Sequence, residues 1–352
     1  MNYICTWFCA DSLGEESKYS QSGEISSSAR HHAIYWKCIL NFFTTSRFFN
    51  ATEKHLLFTN VISLPIIDGI DLNHILKNLE VPIVYVDFKF KTPNSYHNAW
   101  GGQFYEFSIL DYIAQTFPDH DQFLLLDSDC IFRDNVSVLF SKTASNNGFL
   151  SYVIEYEPAY YINGINGFEI KLIYEDLLNR KLHQVPEYHA GEFFLSNVKN
   201  IKVIIEDFKE LWPILLKRHK DGLTKFNEEA HTLSFIYYKN GFNGGTANNF
   251  IRRIWTNPVF YRNIKCDDFD LIIWHLPSEK QVGIKRLFSF FSKNSFSLNY
   301  SRMEFLKILE DHLWVGKLNL SKLLHYYFLT SYNSTSRYIR NGYKNRKIST
   351  KK

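Results

Sequence analysis

Asp127 and Asp129 flank a single serine at the end of an unbroken apolar run, Gln122-Phe-Leu-Leu-Leu-Asp127-Ser128-Asp129-Cys-Ile-Phe132. Phe123 to Leu126 reads as a strand buried on both faces, so the two carboxylates stand where the chain leaves the carboxyl end of a parallel sheet. Open α/β sheets bind their ligands at that edge. One intervening residue on an extended or sharply turning segment lets both side chains converge on a hard divalent cation, which takes oxygen ligands and often keeps part of its shell for phosphates. Elsewhere an Asp-x-Asp is usually a helix cap with a solvated neighbour. The buried strand in front of this one points instead to a metal–diphosphate site.

Three further segments carry residue types that can do chemistry. In His189-Ala-Gly191-Glu192-Phe-Phe-Leu-Ser196-Asn197, a glycine permits close backbone approach and a carboxylate follows. This reads either as a turn that sets Glu192 beside a substrate or as a tight turn before a buried strand, with Glu192 solvated. In Asn227-Glu228-Glu229-Ala-His231, acidic residues open a predicted helix, where its dipole favours them without any catalytic role. Glu229 and His231 both face a site only if the helix begins near them. In Trp274-His275-Leu-Pro-Ser-Glu-Lys280, the imidazole at a strand exit can complete a metal site, and the lysine after the turn can neutralise a phosphate. A hydrogen-bonded structural histidine is the plainer alternative.

The elements around these segments alternate. Strands are expected at Tyr3 to Ala10, His55 to Thr59, Val81 to Val86 and Phe123 to Leu126, and helices at Ala29 to Phe43, Asp71 to Leu79 and Gln103 to Thr116, with a polar surface loop over residues 11–28. This alternation predicts a doubly wound sheet rather than a sandwich or bundle. Farther on, Gly148 to Ile154 is strand-like, while Gly167 to Leu178, Ile201 to Arg218 and Glu228 to Lys239 are helical, the last stopped by Asn240-Gly241. From residue 281 onward aromatic and basic residues mingle, and Met303 to Leu329 carries helical spacing, which sets a boundary near residue 280.

A chain of 352 residues, 45% of them hydrophobic, can bury a substantial core. No apolar run approaches the roughly 20 residues of a membrane span, and no basic-then-apolar leader opens the sequence, so a cytoplasmic protein is expected. Five cysteines without a Cys-x-x-Cys pair exclude the usual zinc and redox patterns and suit a reducing compartment. Residues 335–352 hold seven basic residues and no acidic one; since the whole chain is at +4, the remainder carries −3. That tail, with Phe288, Phe290 and Phe291, fits peripheral binding to an anionic membrane surface such as the inner face of the cytoplasmic membrane. Finger, RNP and basic recognition-helix patterns are missing, which argues against nucleic acid. No Gly-x-Gly-x-x-Gly or Gly-x-x-x-x-Gly-Lys-Ser/Thr follows the early strands, which weakens dinucleotide and P-loop readings.

The four segments together resemble a nucleotide-sugar glycosyltransferase of the GT-A type, whose Asp-x-Asp holds a divalent cation against the donor diphosphate. Gly191-Glu-Phe-Phe194 and Glu229-Ala-His231 are similar to the Gly-Gly-Phe-Phe and Glu-Ser-His segments of the blood-group A/B and α-1,3-galactosyltransferase family. His275 to Lys280 is similar to the His-Phe-x-Gly-x-x-Lys end of the glycogenin-like family, and the likeness covers roughly residues 1 to 280. The resemblance implies a GT-A catalytic domain over 1–280, an α/β fold with a Rossmann-like, mostly parallel sheet and flanking helices. An aromatic and basic helical appendage would follow over 281–352.

The resemblance also implies roles. Asp127, Asp129 and His275 would ligate Mn²⁺ or Mg²⁺, and Lys280 would touch the departing diphosphate. Thr6, Trp7 and Phe8 would hold the nucleotide base. Glu229 would lie beneath the anomeric carbon, with Glu192, His189, Gly191 and His231 around the acceptor; Glu229 and Glu192 are the catalytic candidates. The activity implied is hexosyl transfer from a UDP-sugar donor, with retained configuration, to a glycan or lipid-linked oligosaccharide in surface polysaccharide, lipopolysaccharide or capsule synthesis. Two departures bear on specificity: Glu192 replaces the second glycine, and Leu-Pro-Ser follows His275. The competing readings are a metal-dependent nucleotidyl- or phosphotransferase and a non-catalytic carbohydrate-binding protein on a degenerate transferase fold.

Overall fold

Short apolar segments at the sheet's centre alternate their side chains between two faces. Along β1 (Asn2–Phe8), Ile4 and Phe8 join one core while Tyr3 and Cys5 join the other. The strand that carries the Asp pair divides its side chains in the same way, Leu124 and Leu126 against Phe123 and Leu125. A strand apolar on both faces must be covered by helices on both. The computed structural model, which describes residues 1–11, 14–19, 24–242, 246–316 and 324, has this doubly wound α/β arrangement. The basic tail from residue 335 and the stretch of helical spacing up to Leu329, except residue 324, lie outside the described residues beyond 316.

The principal sheet has six strands. β1, β2 (Lys54–Thr59), β3 (Ile83–Tyr85) and β4 (Gln122–Leu126) run parallel in the order β4-β1-β2-β3. β6 (Phe149–Val153) and β7 (His189–Asn197) extend the β4 side, β7 antiparallel to both of its neighbours. A smaller sheet packs nearby: β5 (Cys130–Phe132) pairs antiparallel with β9 (Ile273–His275), which pairs in parallel with β8 (Ile251–Arg253).

Helix α1 (Ala29–Phe49) covers one face, together with α2 (Leu72–Asn78). It runs past the expected stop at Phe43 because the polar Thr44 and Thr45 return their hydroxyls to the carbonyls of Leu40 and Asn41, at 2.6 and 2.9 Å, which lets them stay in a buried helix. On the other face lie α3 (Tyr105–Thr116), α6 (Val198–Lys220) and α7 (Glu229–Asn240); Phe107 and Phe208 stack between the first two with ring centroids 3.6 Å apart. α4 (Ser137–Ser145) and α5 (Gly167–Leu178) connect strands at the edge. After residue 280, α8 (Gly283–Lys293) and α9 (Arg302–His312) pack on α1: Asn41 Nδ2 donates to Ile284 O at 2.8 Å, and Phe48 stacks on Phe305.

One expectation needs correction. Gly191 lies in no turn, since His189 to Asn197 is a single nine-residue strand. Phe193 to Asn197 pair residue by residue with β4, and the ladder to β6 is irregular between Ser151 and Val153 instead. Pairing of that apolar stretch on two sides outweighs the turn preference of a lone glycine. Among the described residues, no helix is long and apolar enough to cross a membrane.

Candidate functional site

Strand register brings the distant residues together. β4 ends at Leu126, and a tight turn closed by Cys130 N–H donating to Asp127 O at 3.1 Å starts β5. β5 pairs with β9 so that Cys130 faces His275, and Leu276 N–H donates to Asp129 O at 3.1 Å. β8 sets Arg253 across from His275. From the other side, Phe193 faces Leu126 and Asp127 N–H donates to Glu192 O at 3.3 Å. Four chain segments separated by up to about 150 residues thus meet at the end of the Asp-bearing strand.

His275 is the centre of this meeting. Its Nε2 is 3.3 Å from Asp129 Oδ2 and 3.6 Å from Asp127 Oδ2, and its Nδ1 is 3.1 Å from Glu192 Oε1. Nε2 is buried and makes no hydrogen bond of good geometry. Ligand atoms of Asp127, Asp129 and His275 all lie within 4.8 Å of one another, a set that can hold a metal ion. Two carboxylate oxygens and one imidazole nitrogen suit a divalent cation, and the carboxylate behind Nδ1 is the partner that fixes a ligating histidine's tautomer and ring orientation. The residues therefore fit a cation.

Charge in this buried cluster is closely balanced. Arg253 grips Glu192 at both oxygens, with Nε to Oε1 at 2.7 Å, and Lys280 pairs with Asp129. Burial opposes ionisation of Glu192, but Arg253 and then His275 overcome it and hold that carboxyl well below the usual range. Lys280 and His275 do the same for Asp129. Asp127, set farther from His275 than Asp129 is, is pushed up to about 6 by burial and by Asp129. Against its own burial, His275 is raised to about 9 by Asp129 and Glu192.

With its pKa raised above 7, His275 carries a proton that a cation must displace, so cation affinity rises with pH up to about 9. Titration calorimetry with Mn²⁺ at about pH 7, in buffers of different ionisation heat, is expected to show proton release. Affinity that ignores pH would remove His275 from the ligand set.

Glu229 sits at the first turn of α7 and is 5% exposed; its Oε2 is buried without a hydrogen bond. Burial first, then Glu228, Glu106 and Asp127, raise its carboxyl well above the ordinary value. The glycine at 191 is what admits it: a Cβ built there would collide with Glu229 Oε1 and touch Ala230 Cβ at 3.4 Å. Gly191→Ala is therefore expected to displace the Glu229 carboxyl and to destabilise the fold by about 1–3 kcal/mol, as overpacking does. Urea unfolding of the variant measures it.

These residues line one cleft of about 290 Å³. Trp7, Phe8, Asp127, Asp129, Gly191, Glu192, Glu229, His275 and Lys280 face it, with Tyr19, Tyr35 and Trp100 toward the β1 end. Thr6 lies outside the lining: it is fully buried, and its hydroxyl ties β1 to β4 by donating to Leu126 O at 2.8 Å. His189 is also outside, its Nδ1 2.7 Å from Ser151 Oγ, and burial lowers its pKa to about 4. His231 is 1% exposed behind the lining, with Nε2 3.4 Å from Glu228 Oε1. Glu192, within the lining, is 2% exposed and is bonded to Arg253 and His275.

The sequence reading overlooked Arg253 and Glu106. Arg253 ends a strand of three residues, too short for periodicity to mark. Glu106 gave a usable signal, a carboxylate set among Phe104, Phe107, Ile109 and Leu110; in the structure it is 3% exposed with Oε1 unbonded, outside the cleft lining, and acts on the site by raising Glu229.

No family model and no curated protein sequence matches the chain. Among solved structures, it is similar to mouse xyloside xylosyltransferase 1 in its apo form, with 13% identity, 78% of this chain and 97% of that chain covered, and a TM-score of 0.43. It is also similar to an active-site mutant of LgtC, with 14% identity, 78% and 86% coverage and a TM-score of 0.44. The bifunctional glycosyltransferase WbbM, apo, matches at 13% identity, 77% of this chain and 45% of that one, with a TM-score of 0.43. At these identities and scores, the site's own geometry has to carry the function.

Proposed function

We propose that this chain is a metal-dependent glycosyltransferase that moves a hexosyl group from a nucleotide-diphosphate donor, a UDP-sugar, to a glycan or lipid-linked oligosaccharide in surface polysaccharide synthesis. The observation that carries this is the convergence of Asp127, Asp129 and His275 on the wall of a cleft, with Nε2 of His275 facing both carboxylates and Nδ1 held by Glu192. Mn²⁺ or Mg²⁺ held there would supply Lewis-acid stabilisation of charge on a leaving diphosphate.

The protein's own groups do the rest. Lys280, buried beside Asp129, adds a fixed positive charge where the diphosphate departs. Trp7 and Phe8 offer aromatic surface at the β1 end of the cleft for a nucleotide base. Glu192, held by Arg253, keeps His275 aimed at the two aspartates. Glu229, once ionised, offers negative charge to the oxocarbenium-like carbon that forms as the glycosidic bond breaks. At 5% exposure, it suits that stabilising role better than activation of bulk water, which fits retained rather than inverted configuration.

The test is release of UDP from a panel of UDP-sugars with Mn²⁺, with proton NMR of any product to read its anomeric configuration. Slow, Mn²⁺-dependent UDP release supports the proposal. Consumption of nucleoside triphosphates instead would favour a phosphotransferase, and no turnover of either would favour a carbohydrate-binding protein.

A further inference from the structure

Tyr156, Tyr160 and Tyr161 stand on the rim of the same cleft, on the segment joining β6 to α5. The rings of Tyr156 and Tyr160 are stacked, with centroids 5.1 Å apart and planes 2° from parallel. Tyr160 and Tyr161 nevertheless leave 57% and 62% of their surface in water. Aromatic surface of this extent, unburied at the mouth of a binding cleft, marks a place that something else covers.

The segment is fixed in place. Tyr161 pairs with Asn166 and Ile162 with Ile165 in a two-stranded ribbon, turned at Asn163 and Gly164, both at positive φ (45° and 90°), the Asn-Gly geometry of a tight hairpin. Asn163 donates its amide to Glu228 Oε2, and Asn227 Nδ2 donates to Asn163 O at 3.0 Å. Asn227 and Glu228 immediately precede Glu229, so the hairpin is tied to the residues that start α7. Tyr156 is tied in from the other side, its hydroxyl accepting from Arg253 Nη1 at 3.2 Å.

We infer that Tyr160 and Tyr161, backed by Tyr156, form the acceptor subsite and take a saccharide ring by its apolar C–H face. This rests on the glycosyl-transfer proposal above. The Tyr156–Tyr160 stack, with exposed Tyr161 next in the chain and the polar Asn163–Glu228 pair in the same lining, matches a pyranose, which is apolar on its faces and polar at its rim. The same cleft is also lined by Glu228, Glu229 and Arg253, polar groups that suit a saccharide's hydroxyls better than a lipid tail. Preorganised rings also lower the entropy lost when a flexible glycan docks.

Saturation-transfer NMR on the full chain with UDP and Mg²⁺, against a mixture of lactose, maltotriose and N,N′-diacetylchitobiose, tests this. Saturation is expected at the ring C–H protons of at least one saccharide. Tyr160→Ala combined with Tyr161→Ala is expected to weaken that binding about tenfold, the worth of an aromatic stacking contact. The corresponding Phe variants keep it, as does Phe260→Ala, which removes an exposed ring that does not line the cleft. Binding unchanged in the alanine variant overturns the subsite. So does the absence of any saccharide signal while UDP and Mg²⁺ still raise the melting temperature. If UDP and Mg²⁺ fail to stabilise the wild type, the donor half of the proposed function falls, and the subsite falls with it.

Discussion

Asp127→Asn and Asp129→Asn are each expected to lower sugar transfer by about three orders of magnitude, the equivalent of losing several kcal/mol of charge stabilisation, yet to differ sharply in stability. Asp129 is 1% exposed and paired with Lys280, itself 2% exposed. Replacing that carboxylate by an amide removes the ion pair that Asp129 makes with the buried ammonium, which costs about 3–5 kcal/mol. Asp127 stands farther from His275, its side chain is 28% exposed, and its carboxyl is already raised to about 6 by burial and by Asp129. A folded-state pKa above the unfolded one means that stability is lost as pH rises from about 4 toward 6. Asp127→Asn removes that loss, so above about pH 6 it is expected to melt at or above the wild-type temperature. Thermal melts of both variants at about pH 7.5, beside Mn²⁺-dependent UDP release, separate the two effects. Equal destabilisation would mean that Lys280 is held by something other than Asp129.

The layout of the sheet was legible because its central strands bury both faces: the apolar runs at Tyr3, His55 and Phe123 need no knowledge of partners to be seen. Helix ends carried by local chemistry were legible too, as at Gly241, which caps α7 at φ 66°. What could not be read was register. That His275 faces Cys130, and Arg253 faces His275, depends on pairing among strands of three residues whose sequence separation exceeds 100 at the widest. Glu192 shows the consequence. Its type and its neighbour Gly191 left open whether it faces a site or solvent, because which side of a strand a residue takes depends on a ladder set by Phe193 to Asn197 against β4. The same ladder turns its carboxylate to Arg253 and His275.

Glu229→Gln is expected to trade activity for stability. In the wild type the Glu229 carboxyl is raised well above its ordinary range by burial, and then by Glu228, Glu106 and Asp127. Ionising it therefore destabilises the native state progressively as pH rises from about 4, where the unfolded chain titrates, up to the folded pKa. Glutamine keeps the shape that Gly191 accommodates and removes the charge. The variant is thus expected to match the wild type near about pH 4 and to melt increasingly above it as pH rises. Transfer is expected to fall by about 10²–10³, the size of effect when one electrostatic group at a developing charge is lost. Wild-type kcat should rise with pH through the Glu229 titration, because only the ionised form can stabilise a cationic sugar, and that limb should vanish in the variant. A Glu229→Gln enzyme that kept both its rate and its rising limb would place the charge facing the anomeric carbon elsewhere, with Glu228, 4% exposed and bonded to Tyr188 and Asn163, the nearest substitute.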